Sequence, residues 1–122
     1  CIATDHAPHS IVDKERDFNN ASCGMIGLES AFGVTNKILK GKKTVESIID
    51  LFTINPCKVI NVKPNLIKEK ELAELNIIDP DIEWEFKSSS IKSKSSNSPF
   101  IGEKLIGKVM MTINKGFYIN NF

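Results

Sequence analysis

Thr4-Asp5-His6-Ala7-Pro8-His9 is the stretch on which the rest of the chain is read. Behind it stand Cys1-Ile2-Ala3, a short apolar run that reads as the end of a buried strand. Pro8 fits neither a central strand nor a helix interior, so the chain must turn there. One carboxylate and two imidazoles then fall at a strand's C-terminal end, where a loop begins. In an α/β barrel that end of the strand is where catalytic residues collect.

The bulk numbers bound this reading. The chain has 122 residues, enough for one small domain with a modest core, whereas an α/β barrel needs about 250. It starts abruptly at Cys1, in what reads as a strand, so the simplest expectation is the C-terminal part of a longer protein. No run approaches the roughly 20 apolar residues of a membrane span, and no signal-peptide pattern is present. Sixteen basic against fifteen acidic residues leave a net charge of +1, which offers nucleic acid or an anionic membrane no global attraction. Cys1, Cys23 and Cys57 are odd in number and widely spaced, without a Cys-x-x-Cys pair. They read as reduced thiols in a cytoplasmic protein, and their spacing does not fit a zinc finger.

Residues 10–24 are polar, with Asp13, Lys14, Glu15, Arg16 and Asp17 in a row. They read as a solvated loop, of a length often found in active-site lids. Leu28, Ala31, Phe32, Thr35, Ile38 and Leu39 recur at helical spacing, which predicts a helix over 28–39 ending at Gly41. Thr44 is a candidate N-cap for a second helix over 45–53, with Val45, Ile48, Ile49 and Phe52 buried. Asn55-Pro56 predicts a third, short helix from an Asn cap through Ile60. From Pro64 the period becomes two. Leu75 and Ile77, then Ile82, Trp84 and Phe86, predict two strands joined by a turn at Asp79-Pro80-Asp81. Residues 87–98 hold seven serines and three lysines and read as an irregular surface loop. Lys87, Lys92 and Lys94 lack the interleaved aromatics of a nucleic-acid site. Two last strands, over 104–113 and 117–119, are joined by an Asn114-Lys115-Gly116 turn.

Asp5-His6-Ala7-Pro8-His9 also resembles the last barrel-strand motif of dihydroorotase, the cyclic amidohydrolase of pyrimidine biosynthesis. The resemblance continues through Phe18, Asn20-Ala21-Ser22-Cys23-Gly24 and Met25-Ile26-Gly27-Leu28-Glu29-Ser30-Ala31. It resumes at Thr53-Ile54-Asn55-Pro56-Cys57-Lys58, at Ile78-Asp79-Pro80 with Glu83-Trp84-Glu85-Phe86, and at Asn97-Ser98-Pro99-Phe100-Ile101-Gly102. It implies an α/β fold: the C-terminal part of a metal-dependent (β/α)8 TIM barrel, followed by strands of a small β-domain. Residues 1–62 would supply the last barrel strand, a substrate loop and C-terminal helices. Residues 63–122 would supply strands of the small β-sandwich.

The implied reaction is the reversible cyclisation of N-carbamoyl-L-aspartate to dihydroorotate. Its cofactor would be one or two Zn2+ ions, with the His-x-His pair and the remaining ligands upstream of this chain. Ring opening needs a water made nucleophilic near neutral pH, which a bound divalent metal achieves. It also needs a group that takes the water's proton and passes it to the leaving nitrogen. The resemblance gives both tasks to Asp5, as metal-side ligand and general base/acid; the plainer reading is an aspartate that caps a turn. It gives His9 to the substrate carboxylate, a task suited to a protonated or hydrogen-bonding imidazole, against a turn histidine. Cys23 and Gly24 would offer backbone contacts to the ring, where glycine permits close approach. His6 follows Asp5 directly and reads as structural or supporting rather than as a ligand.

The chain departs from the family at Ser22-Cys23, where Pro-Phe is usual, at Ala73-Glu74, where Ala-Asp is favoured, and in 68–71, which lacks a usual glycine. The expected partners are a small-molecule substrate and, in the family's manner, a second copy or aspartate transcarbamoylase. Two other readings stand beside this one: an allantoinase or hydantoinase type of cyclic amidohydrolase, and an inactive dihydroorotase-like scaffold subunit. Without its upstream part the chain is expected to be inactive.

Overall fold

The fold was analysed in a computed structural model, which describes residues 1–121. Four short helices come first: α1 (Ile11–Lys14), α2 (Ala31–Leu39), α3 (Val45–Asp50) and α4 (Ile54–Val59). Three strands follow: β1 (Glu74–Glu85), β2 (Lys104–Asn114) and β3 (Phe117–Asn120). They form one antiparallel sheet in the order β1-β2-β3. This is a mixed helix and strand chain, and no barrel is formed among the described residues.

Cys1-Ile2-Ala3 is not a strand in this chain. Ile2 N–H donates to Leu51 O at 2.9 Å, and the only pairing nearby is an isolated parallel bridge between His6 and Met25. A strand is stable only when neighbours satisfy its backbone groups, and this chain offers the run one such neighbour. Residues 10–24 remain largely irregular, but Ser10 caps the single turn of α1 by accepting from Asp13 N–H.

The helices form nearly where the periodicity places them, with later starts or earlier ends. Thr44 caps α3 by accepting from Ser47 N–H, and Ile48 is its buried residue. Helix α4 starts one residue before the expected cap, so Asn55 and Pro56 lie in its first turn, and Thr53 precedes it without a side-chain cap bond. On α2 the buried residues are Gly33 and Asn36, not the centre of the apolar stripe; Leu28 and Ile38 are exposed.

Close approach explains that shift. A Cβ on Gly33 would lie 3.1 Å from the Leu105 Cβ and 3.2 Å from Gly107 O. A Cβ on Gly107 would lie 2.8 Å from the Phe32 ring and 2.7 Å from the Asn36 amide. The helix therefore rests on β2 through two glycines. Asn36 spans the interface, donating at 2.9 Å to both Pro80 O and Ile106 O.

The expected turn at Asp79-Pro80-Asp81 is instead part of one long strand. The pairing of β1 with β2 shifts register between Ile77 and Ile78 and again between Asp79 and Glu83. The segment is a bulge stabilised by Asp79, whose Oδ1 accepts from Asp81 N–H at 2.9 Å and Ile82 N–H at 3.1 Å. Proline, which cannot donate to a ladder, is tolerated there. Between β2 and β3 the loop is the two residues Lys115 and Gly116, at φ +48° and +87°, with Asn114 paired to Phe117. Positive φ at both positions is the type I′ hairpin geometry. The core is small: Ile26, Ile48, Phe86 and Leu105 are the buried apolar side chains among the described residues.

Candidate functional site

The turn at Pro8 sets the Asp5–His9 run against residues 22–27. Ala7 N–H donates to Met25 O at 2.9 Å, beside the bridge of His6 to Met25. Asp5 lies in the left-handed region, at φ +44°, where aspartate is better tolerated than most residues. It is exposed, and its carboxylate has no hydrogen-bond or ion-pair partner among the described residues. A turn-capping aspartate would accept from a nearby backbone N–H; this one leaves both oxygens free.

His6 is held from both sides. Its Nδ1 accepts from Gly27 N–H at 3.1 Å, with Leu28 N–H further off at 3.4 Å. A nitrogen that accepts from backbone amides carries no proton, so the neutral ring's hydrogen is on Nε2. That nitrogen faces Ser93 Oγ at 3.4 Å. The Ser93 hydroxyl in turn donates to Glu29 Oε1 at 2.5 Å. The same oxygen accepts from Ser93 N–H at 2.7 Å and Lys92 N–H at 3.1 Å. Desolvation opposes the Glu29 carboxylate, but its hydrogen bonds from Ser93 and the backbone together outweigh it and hold the pKa below the ordinary value. Both His6 ring nitrogens are thus engaged within the fold, in an order His6–Ser93–Glu29 that the sequence did not disclose.

His9 and Gly24 come together. A Cβ built on Gly24 would stand 3.6 Å from His9 Nε2 and only 2.6 Å from the Ala7 Cβ, and Gly24 has φ +105°. Both the backbone angle and the space require glycine here. The Gly24 carbonyl accepts from Lys14 Nζ at 3.0 Å and from Asn97 Nδ2 at 3.3 Å. Lys14 Nζ also takes Ser22 O at 2.7 Å, drawing the end of the 10–24 loop back onto its first helical turn. None of the hydrogen bonds among the described residues uses the Gly24 N–H or the Cys23 carbonyl. One donor and one acceptor on exposed residues are therefore without a protein partner. Cys23 itself is an exposed free thiol.

His9 and the Cys23-Gly24 backbone, chosen from sequence, thus come together, and Asp5, with its unpaired carboxylate, stands four residues before His9 on the same run. Sequence reading assigned no role to Lys14, Glu29, Ser93, Ser95 or Asn97. Glu29 and Asn97 lie in stretches that carry the family resemblance, and in the structure Ser93, Ser95 and Asn97 turn inward while Lys92, Lys94 and Ser96 are exposed.

Zinc sites use three or four protein ligands. Among the described residues no group of three His, Cys, Asp or Glu could hold a metal. His6 Nδ1 is already engaged by backbone amides, which leaves Asp5 as one free carboxylate. These residues alone do not fit a zinc ion. No helix among them is long and apolar enough to cross a membrane.

No family model matches the chain. Individual proteins do. It is 47% identical over 117 residues to a dihydroorotase of Clostridium acetobutylicum, across 94% of this chain and 28% of that protein. It is 43% identical over 122 residues to a dihydroorotase of Clostridioides difficile, across 98% of this chain. A Staphylococcus epidermidis dihydroorotase is 40% identical over 118 residues, across 95% of this chain. In sequence the chain belongs with the dihydroorotase family, and it spans 28% of the length of these curated relatives.

Proposed function

We propose that these residues form the substrate-facing end of a zinc-dependent dihydroorotase, which interconverts N-carbamoyl-L-aspartate and dihydroorotate. The observation that carries the reading is the unpaired Asp5 carboxylate on the same run as His9, whose ring lies against Gly24 with its unpaired N–H. Asp5 takes a proton from the attacking water as the new C–O bond forms. It returns that proton to the ring nitrogen as the C–N bond breaks. Cyclisation runs the same steps backwards. His9 holds the substrate's carboxylate, and the Gly24 N–H and Cys23 carbonyl hold the ring. Asp5 also offers one carboxylate to a metal whose other ligands lie outside these residues. The resemblance further supports barrel residues at 1–62 and β-domain residues at 63–122.

The test uses the full-length protein that carries this chain. Asp5→Asn should lower kcat by roughly 10²–10⁴-fold, the usual range for losing a general acid/base. His9→Ala should raise KM for carbamoyl aspartate far more than it lowers kcat. Unchanged affinity in His9→Ala removes that residue's role. Preferred turnover of a neutral hydantoin or allantoin would point to another cyclic amidohydrolase. A full-length protein with no turnover at all would point to a scaffold subunit.

A further inference from the structure

Asn97 is placed by a segment that reads in sequence as a surface loop, yet its side-chain amide is saturated. Oδ1 accepts from His9 N–H at 3.2 Å and from Ser95 Oγ at 2.6 Å. Nδ2 donates to Ala7 O at 2.9 Å and to Gly24 O at 3.3 Å. A primary amide offers two donors and two acceptor sites, and all four are used. Rotating the amide by half a turn would aim its NH2 at the His9 N–H and its oxygen at two carbonyls, so one orientation is selected. The backbone joins in: Ile26 N–H, on a fully buried residue, donates to Asn97 O at 3.1 Å. The single Ser95 hydroxyl proton is shared between Asn97 Oδ1 and His9 O, both within its reach.

The amide thus ties together two pieces of chain that lie 73 to 90 positions away in sequence. One carries His9 and the other carries Gly24. Neither piece is held in a sheet; the only ladder contact near them is the single bridge of His6 to Met25. Beyond that bridge and its Ala7–Met25 backbone bond, side-chain bonds set their relative position, and Asn97 makes more of these than any other residue in the cluster.

We infer that Asn97 is a positioning residue: its side-chain amide sets the His9 backbone against Gly24, and Ser95 supports it. This rests on the reading of His9 as a substrate-binding residue, and the experiment separates the two. KM and kcat for carbamoyl aspartate are measured in the full-length protein for Asn97→Ala, His9→Ala and the double variant. Asn36→Ala serves as the control, since it loses two buried hydrogen bonds at the distant helix–sheet contact.

Asn97→Ala is expected to raise KM roughly 5- to 10-fold, the effect of losing about one net hydrogen bond's stabilisation of the bound geometry, with kcat changed less than 3-fold. The double variant should show less than the product of the two single effects, because both act on one contact. Asn36→Ala should leave KM unchanged although it lowers stability. If His9→Ala raises KM and Asn97→Ala does not, the positioning role is overturned and the reading of His9 stands. Fully multiplicative effects also overturn it. If His9→Ala leaves KM unchanged, both fall. Should Asn97→Ala fail to fold, Ser95→Ala replaces it in the same cycle, with an expected rise of roughly 2- to 5-fold; no rise would overturn the role.

Discussion

Glu29 shows how one carboxylate can fix a segment far from it in sequence. One of its oxygens collects three hydrogen bonds from Lys92 and Ser93, and the other is buried without a partner among the described residues. Through Ser93 it orients the His6 ring, whose other nitrogen receives the Gly27 amide. The pKa of Glu29 lies below its ordinary value of 4.5. A depressed carboxylate adds stability that is complete above the unfolded value and fades as pH falls through the folded one. Glu29→Gln should therefore destabilise the full-length protein by about 1 kcal/mol near neutral pH, and the gap from wild type should narrow below the ordinary value of 4.5. Denaturant midpoints of the two proteins across that range check this; a gap that widens on acidification would contradict it. Asp5 and His9 stood out in the sequence because their residue types are unusual in so close a combination, and Gly24 because it ends the stretch that continues the resemblance. Glu29 and Asn97 lie in stretches that carry the resemblance, but what they do was not legible, since the backbone groups they hold lie 63 to 90 positions away.

At the scale of elements, the helices were read almost correctly from periodicity and caps, and Thr44 bonds as a cap should. The turn at Lys115-Gly116 was read correctly too. It needs positive φ at both positions, and Lys115 takes φ +48° against its preference. Lys115→Asn should relieve that strain, because asparagine accepts the left-handed region more readily. The replaced lysine gives up an exposed ion pair with Glu74 at 3.5 Å, which is worth little. The net expectation is a gain of about 0.5 kcal/mol in the full-length protein, read as a higher denaturant midpoint. A loss would mean that the ion pair matters more than the backbone. The misread elements share one cause. Asp79-Pro80-Asp81 has turn residues, but β2 continues alongside and converts the segment into a bulge. Cys1-Ile2-Ala3 has strand residues, but no strand pairs with it among the described residues.

For the whole molecule, area is the informative quantity. The accessible surface is 8916 Å2 for a 13.6 kDa chain, whereas a compact monomer of that mass exposes about 6,600 Å2. Phe18, Ile67, Leu72 and Phe117 are each at least three-quarters exposed. With so small a core and so much apolar surface uncovered, the 122-residue chain produced alone should bind a hydrophobic dye such as ANS, show no cooperative melt and leave dihydroorotate intact. A sharp melt with dye excluded, or turnover, would contradict that. The sequence by itself determined the family, the chemistry-bearing run at 5–9, the helical half and the strand half. These follow from residue types and short-range spacing, which need no knowledge of the fold. Only the tertiary structure decided which carbonyls and amides the 93–97 segment would meet, why two glycines lie between α2 and β2, and which atoms beside His9 stay open. Those depend on which distant backbone groups come within hydrogen-bond range, and nothing local in the chain specifies that.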